Sequence, residues 1–281
     1  MRTLLILLPV LLVILAGFTV YGNLALDVTK YRVRHPKLPA AFKGMKILLL
    51  SDLHDKQFGK NYERLIEKCA RQKPTIIFFT GDLITRGETN INAKVELVRR
   101  LTAIAPVYFT LGNHEVENFE AAKALIPALE EAGAVLVVNT KRILEKDGES
   151  VSLYGLSLEN SFYRNKNGGY RYLPPVTKDI ITARLGEKLP GEFVMLLAHN
   201  PLPFEEYAAW GADLTFAGHM HGGIVRIPFV SDSGLLSPER SFFPEYSEGI
   251  YNEGKSVMVV SRGLGKFRLF NNPEIVLISL K

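Results

Sequence analysis

Residues Thr215 to Val225 read TFAGHMHGGIV, which places His219 and His221 two positions apart directly after an apolar run. Imidazole nitrogens serve as metal ligands or proton-transfer groups when other donors converge on them. Such donors stand at four earlier places, each just after an apolar segment. Asp52 and His54 follow KILLLS, and Asp82 follows TIIFFT and Gly81. Asn113, His114 and Glu115 follow PVYFTL and Gly112, while His199 and Asn200 follow FVMLLA. Five of the six histidines belong to this set; the sixth, His35, lies in a basic stretch and reads as solvated or structural. A lone histidine or aspartate at a strand end is usually a loop hydrogen-bonder. So many at successive strand ends would repel or stay unpaired without a partner. A cation is the partner that suits carboxylates beside imidazoles.

The donor types narrow that cation. Cys69 is the only cysteine, which excludes an internal disulfide and a Cys-cluster zinc site. Its neighbours Leu65 and Ile66 place it on the apolar face of a helix, as a core residue. The remaining donors are carboxylate, amide oxygen and imidazole: Asp52, His54, Asp82, Asn113, His199, His219 and His221. That chemistry suits manganese, iron, zinc or a mixture better than magnesium or calcium. Seven donors are too many for one zinc-like ion and fit two divalent ions sharing a carboxylate.

The elements that must position these residues alternate. Strands are expected at 46–51, 75–80, 107–111 and 134–138, with helices at 62–72, 91–103 and 118–132 between them. This order argues a largely parallel sheet covered by helices. Further strands are expected at 151–158, 193–198, 213–217, 256–261 and 274–280, with helices at 176–185 and 203–209, and they suggest a second sheet packed on the first. In open α/β sheets ligands bind at the carboxyl ends of the strands, so the polar residues should meet on one edge. Two long loops, 159–175 and 224–252, are functional candidates on length alone. At 281 residues with a net charge of +5, the chain has ample core and no basic excess that would argue nucleic-acid binding.

The N-terminus differs. Leu4 to Val20 carries no charge, at the short end of what crosses a bilayer. A cleaved signal peptide competes with this reading, but the run is longer than a usual h-region and lacks a small-x-small cleavage site. The expectation is a single-pass cell-membrane anchor over 1–22, a lead-in segment and edge strand over 23–44, and a catalytic domain over 45–281. Arg2 flanks one end of the run, and Lys30, Arg32, Arg34 and Lys37 flank the other. The positive-inside rule alone would keep the domain cytoplasmic. Those residues alternate as an edge strand would, so the side of the membrane stays open.

Asp52-Leu53-His54, Gly81-Asp82, Gly112-Asn113-His114-Glu115, His199 and Gly218-His219-Met220-His221 occur in the order of the calcineurin-like metallophosphoesterases, which the chain resembles from about Met45 to its end. The longer context, through GHMHGGIVRIPF and SRGLG, resembles the bacterial membrane-associated branch. The resemblance implies a four-layer α/β/β/α sandwich and a dinuclear site. Asp52, His54 and His221 would hold one metal, Asn113, His199 and His219 the other, and Asp82 would bridge them. His114, with Asn113, would contact the substrate phosphate, and His114 would protonate the leaving oxygen. Glu115 would support a histidine. The protein phosphatases of the superfamily read GD-x-x-D-R; here Thr85 replaces the acid and Arg86 matches, which argues against a phosphoprotein substrate. Asp55 and Lys56 stand where many relatives have an apolar residue and glycine, and would reshape substrate entry.

The implied reaction is in-line attack on a phosphodiester, pyrophosphate or phosphomonoester by a hydroxide shared between the ions. A lipid-linked substrate of the UDP-diacylglucosamine type would suit the anchor and the loop aromatics Phe229, Phe242, Phe243, Tyr246 and Tyr251. Those aromatics would equally serve to pack the second sheet. A metal-binding scaffold without catalysis is the alternative of another class.

Overall fold

The computed structural model describes residues 2–226, 234–266 and 268–281, without the side chains of residues 2–8, 11 and 12. Phe229 therefore lies outside the described residues. A helix, α1 (Arg2–Leu24), leads into β1 (Asp27–Val33). The first half continues as β2 (Lys46–Leu50), α2 (Glu63–Arg71), β3 (Ile76–Phe79), α3 (Asn92–Thr102), β4 (Val107–Phe109), α4 (Asn113–Glu117), α5 (Phe119–Glu131) and β5 (Val135–Leu136). The second half runs β6 (Thr140–Lys146), β7 (Glu149–Leu156), α6 (Lys178–Leu185), β8 (Val194–Ala198), α7 (Phe204–Trp210), β9 (Leu214–Ala217), β10 (Gly249–Glu253), β11 (Ser256–Val260) and β12 (Glu274–Leu280).

These strands form two six-stranded sheets, ordered β1-β12-β2-β3-β4-β5 and β10-β11-β9-β8-β7-β6. Strands β2 to β5 run parallel to one another, as do β7, β8, β9 and β11, whereas β12 is antiparallel to β2, β6 to β7 and β10 to β11. The pleat explains why both sheets bury both faces. In β2, Leu48 and Leu50 pack with Leu65, Cys69, Val98 and Leu125 of α2, α3 and α5. Ile47 and Leu49 point the other way, against Leu153, Leu197 and Phe216 of the second sheet. On the outer side of that sheet, Tyr154, Val194 and Leu196 meet Ile181, Tyr207 and Trp210 of α6 and α7. Continuous apolar runs such as ILLL and VMLL are what a strand buried on both faces requires.

The expected anchor falls partly on Met1 and on the side chains of residues 2–8, 11 and 12, which lie outside the described set. Among the described residues, no helix is long and apolar enough to cross a membrane. The basic residues Lys30 and Arg32 do belong to an edge strand, β1, paired in parallel with β12.

Candidate metal centre

The carboxyl ends of β2, β3, β8 and β9 and the start of α4 meet at one place. Asp52, His54, Asp82, Asn113, His199 and His219 are buried there. Three groups of side chains lie close enough to hold an ion together: Asp52, His54 and His221; His54, Asp82 and His114; and Asp82, His199 and His219. Asp82 Oδ2 is 3.3 Å from His199 Nε2 and 3.8 Å from His54 Nε2, so it stands between the two sides of the site. All seven residues expected as ligands are brought together.

The hydrogen bonds fix which ring nitrogens face inward. His199 Nδ1 donates to the Thr80 carbonyl at 2.6 Å and His54 Nδ1 to that of Ile84 at 3.3 Å. His219 Nε2 donates to Glu239 Oε1 at 2.8 Å. Each imidazole thus turns its other nitrogen inward. His54 Nε2 faces His221 Nε2 at 3.3 Å, and His219 Nδ1 faces His199 Nε2 at 3.2 Å, with Asn113 Oδ1 at 3.1 Å from the same nitrogen. Inward nitrogens this close need a proton or a cation between them, and an outer hydrogen bond on a histidine is the usual arrangement around a metal. The residues fit two divalent ions.

Burial alone would lower the His199 pKa, but Asp82 and then Asp52 outweigh it and raise it to about 10. Burial likewise opposes ionisation of Asp82, yet His199, His114 and His54 hold its carboxyl well below the usual range. A proton and a cation compete for the His199 lone pair, so metal uptake there releases a proton. Burial, then Arg268 and His54, keep His221 neutral. His114 also falls, to about 3, through burial and despite Asp82. Its Nδ1 accepts the Arg86 backbone N–H at 3.1 Å, which leaves the ring proton on Nε2, the nitrogen 3.9 Å from Asp82.

The backbone is bent to achieve this. Asp52, His54, Asp82, His219 and His221 all have positive φ, between 52° and 66°. Asp, Asn and His tolerate that region best among non-glycine residues, and each instance costs on the order of 1–3 kcal/mol. Gly218 is held close: a Cβ there would lie 2.0 Å from Ser51 Oγ and 2.4 Å from Asp52 Oδ2. The SRGLG stretch closes the same turn, with the Leu264 N–H donating to the Ser51 carbonyl at 3.0 Å.

Several supporting residues differ from expectation. The Glu115 carboxylate bonds backbone N–H groups rather than a histidine. It accepts the backbone N–H groups of Gly112 and Asp82 at 2.8 Å and of Ile84 at 3.1 Å, tying the turn after β3 to the start of α4. Burial, then Asp82, push its pKa up to about 7, against those three donors. Asp55 pairs with Lys266 at 2.6 Å, and Lys56 donates to the Asn23 carbonyl, so both are committed to contacts that brace the fold. Glu239 and Arg268 had no signal in the sequence. Arg268 is fully buried and donates to the His221 carbonyl and, at 2.7 Å, to that of Arg262. Of the loop aromatics, Tyr246 and Tyr251 pack against the second sheet, whereas Phe242 and Phe243 are exposed. Tyr163, from the 159–175 loop, sets its ring 5.5 Å from that of His219.

Comparison with known proteins agrees with this geometry. A family model described as calcineurin-like phosphoesterase matches residues 45–223. The chain is 28% identical over 270 residues to an uncharacterised metallophosphoesterase, YkuE, of Bacillus subtilis, covering 91% of this chain and 86% of that one. It is 26% identical to phosphodiesterase YaeI of Escherichia coli, covering 84% and 82% of the two chains. It is 24% identical to the UDP-2,3-diacylglucosamine pyrophosphatase LpxG of Chlamydia muridarum, covering 90% and 88%. With a matching domain over more than half its length and the family's residues gathered at one sheet edge, the chain belongs to the calcineurin-like phosphoesterases and is a metal-dependent hydrolase of phosphoric esters.

Proposed function

We propose that the chain hydrolyses a phosphodiester, pyrophosphate or phosphomonoester at a dinuclear centre. Asp52, His54 and His221 would hold one ion, Asn113, His199 and His219 the other, and Asp82 would serve both. The observation that carries this reading is the set of inward ring nitrogens on His54, His199 and His219, each ring fixed by an outer hydrogen bond. Two divalent cations supply Lewis acidity and a nucleophile from water at neutral pH. The protein's own residues do the rest. Asn113 and His114 orient the phosphoryl group. His114, neutral with its proton on Nε2, donates a hydrogen bond to an oxygen that gains charge, the kind of contact worth about 10²–10³ in rate. Metal-loaded full-length chain should hydrolyse bis(p-nitrophenyl) phosphate and lose that activity with a chelator. No turnover with manganese, iron or zinc would leave a metal-binding scaffold as the surviving reading.

A lipid-linked substrate is favoured by where α1 ends. Phe18 packs on Phe270 with ring centroids 4.8 Å apart, and Lys56, two residues from His54, reaches the Asn23 carbonyl. Val10, Val13, Ile14, Phe18 and Val20 of α1 are exposed. The helix would hold the site beside a cell membrane, with its apolar side chains in the lipid. Full-length chain should then sediment with membranes, and a chain starting at Ala25 should not; identical partitioning of the two would refute the attachment.

A further inference from the structure

Beside the metal centre lies a cavity of about 710 Å³ lined by Arg86, Arg164, Tyr170, Arg171, Glu239 and Arg240, among others. Two contacts join it to the centre. The Arg86 N–H holds His114, and the Glu239 carboxylate holds His219. The cavity carries more positive charge than the protein neutralises. Arg86 and Arg164 share one carboxylate, Glu117, at 3.1 and 3.6 Å. Glu239 is committed to His219. Arg171 and Arg240 are exposed and make no ion pair among the described residues. Guanidinium groups match phosphate oxygens two at a time.

We infer that this cavity binds the second phosphate of a pyrophosphate-linked substrate, next to the phosphorus attacked at the metal centre. The inference rests on the phosphoesterase reading and names its substrate class. One water is consumed. Its oxygen forms the new P–O bond, and the bridging P–O bond breaks with its electron pair on the leaving phosphate. The two protons of the water pass to product oxygens or to bulk water. The leaving phosphate stays on the arginines until release.

The test compares metal-loaded full-length chain with R171A/R240A on UDP-glucose, a pyrophosphate diester, and on bis(p-nitrophenyl) phosphate. The wild type should prefer UDP-glucose in kcat/KM. In the variant that preference should fall at least tenfold, chiefly through KM, and calorimetry should show UDP binding at least tenfold weaker. R142A, a substitution on β6, serves as the control and should alter neither. Equal losses on both substrates, an unchanged preference, or a wild type that cleaves only the plain diester would overturn the inference. A wild type that cleaves neither substrate would instead sink the phosphoesterase reading.

Discussion

His114 and Glu239 show what single residues contribute. His114 was visible in the sequence from its place in GNHE. Its state was not, because the Arg86 N–H that fixes the ring proton on Nε2 comes from a turn 28 residues away. As a donor outside the ligand set, His114→Ala should keep its metal by elemental analysis and lose about 10²–10³ in kcat. Full turnover in that variant would remove His114 from the mechanism. Glu239 was illegible, since a lone glutamate in a long loop carries no pattern. Its bond to His219 Nε2 fixes that ring, and loss of such a partner typically weakens metal binding about 10–100-fold. Metal titration of Glu239→Ala should show that loss and Glu239→Gln should recover part of it; equal affinity in all three proteins would contradict the role.

At the scale of elements, the long buried strands were the most legible, because runs such as ILLL and VMLL have few alternatives once turn residues bound them. Strands β6 and β10 were missed: both are edge strands with polar or exposed residues, so little apolar patterning marks them. The five-residue α4 was also missed, being too short to show a period. What holds α4 is Glu115. Glu115→Ala would leave three buried N–H groups without an acceptor, at about 1–3 kcal/mol each. Chemical denaturation should show a loss of at least ~3 kcal/mol, and a loss under 1 kcal/mol would contradict this account. His35 does a comparable task beyond β1: it is buried, donates to the Lys255 carbonyl at 2.9 Å and so ties the first sheet to the β10–β11 hairpin. Burial lowers its pKa below 6.5, with Asp213 only partly offsetting this. The unfolded chain then binds the proton first, so this contribution is present above pH 6.5 and is lost as pH falls through the lowered value. Stability should decline more steeply from pH 7 to 5 in the wild type than in His35→Gln. Parallel curves would show that His35 does not titrate as described.

For the molecule as a whole, the site is an outcome of topology. Four parallel strand ends from two sheets and one helix start deliver donors separated by up to 169 residues to one edge, with strain at five donor backbones tolerated because two large cores over-determine them. Their order in the sequence pointed to the donors that the structure gathers at one edge, but not to the outer residues beside them, which depend on how loops 159–175 and 224–252 fold back. The central claim is that two cations share Asp82. Metal content of the purified, metal-saturated chain, measured by elemental analysis beside Asp82→Asn, tests it most directly. The account predicts two ions per wild-type chain and a clear loss in the variant. One ion or none in the wild type, or an unchanged count in Asp82→Asn, would contradict it.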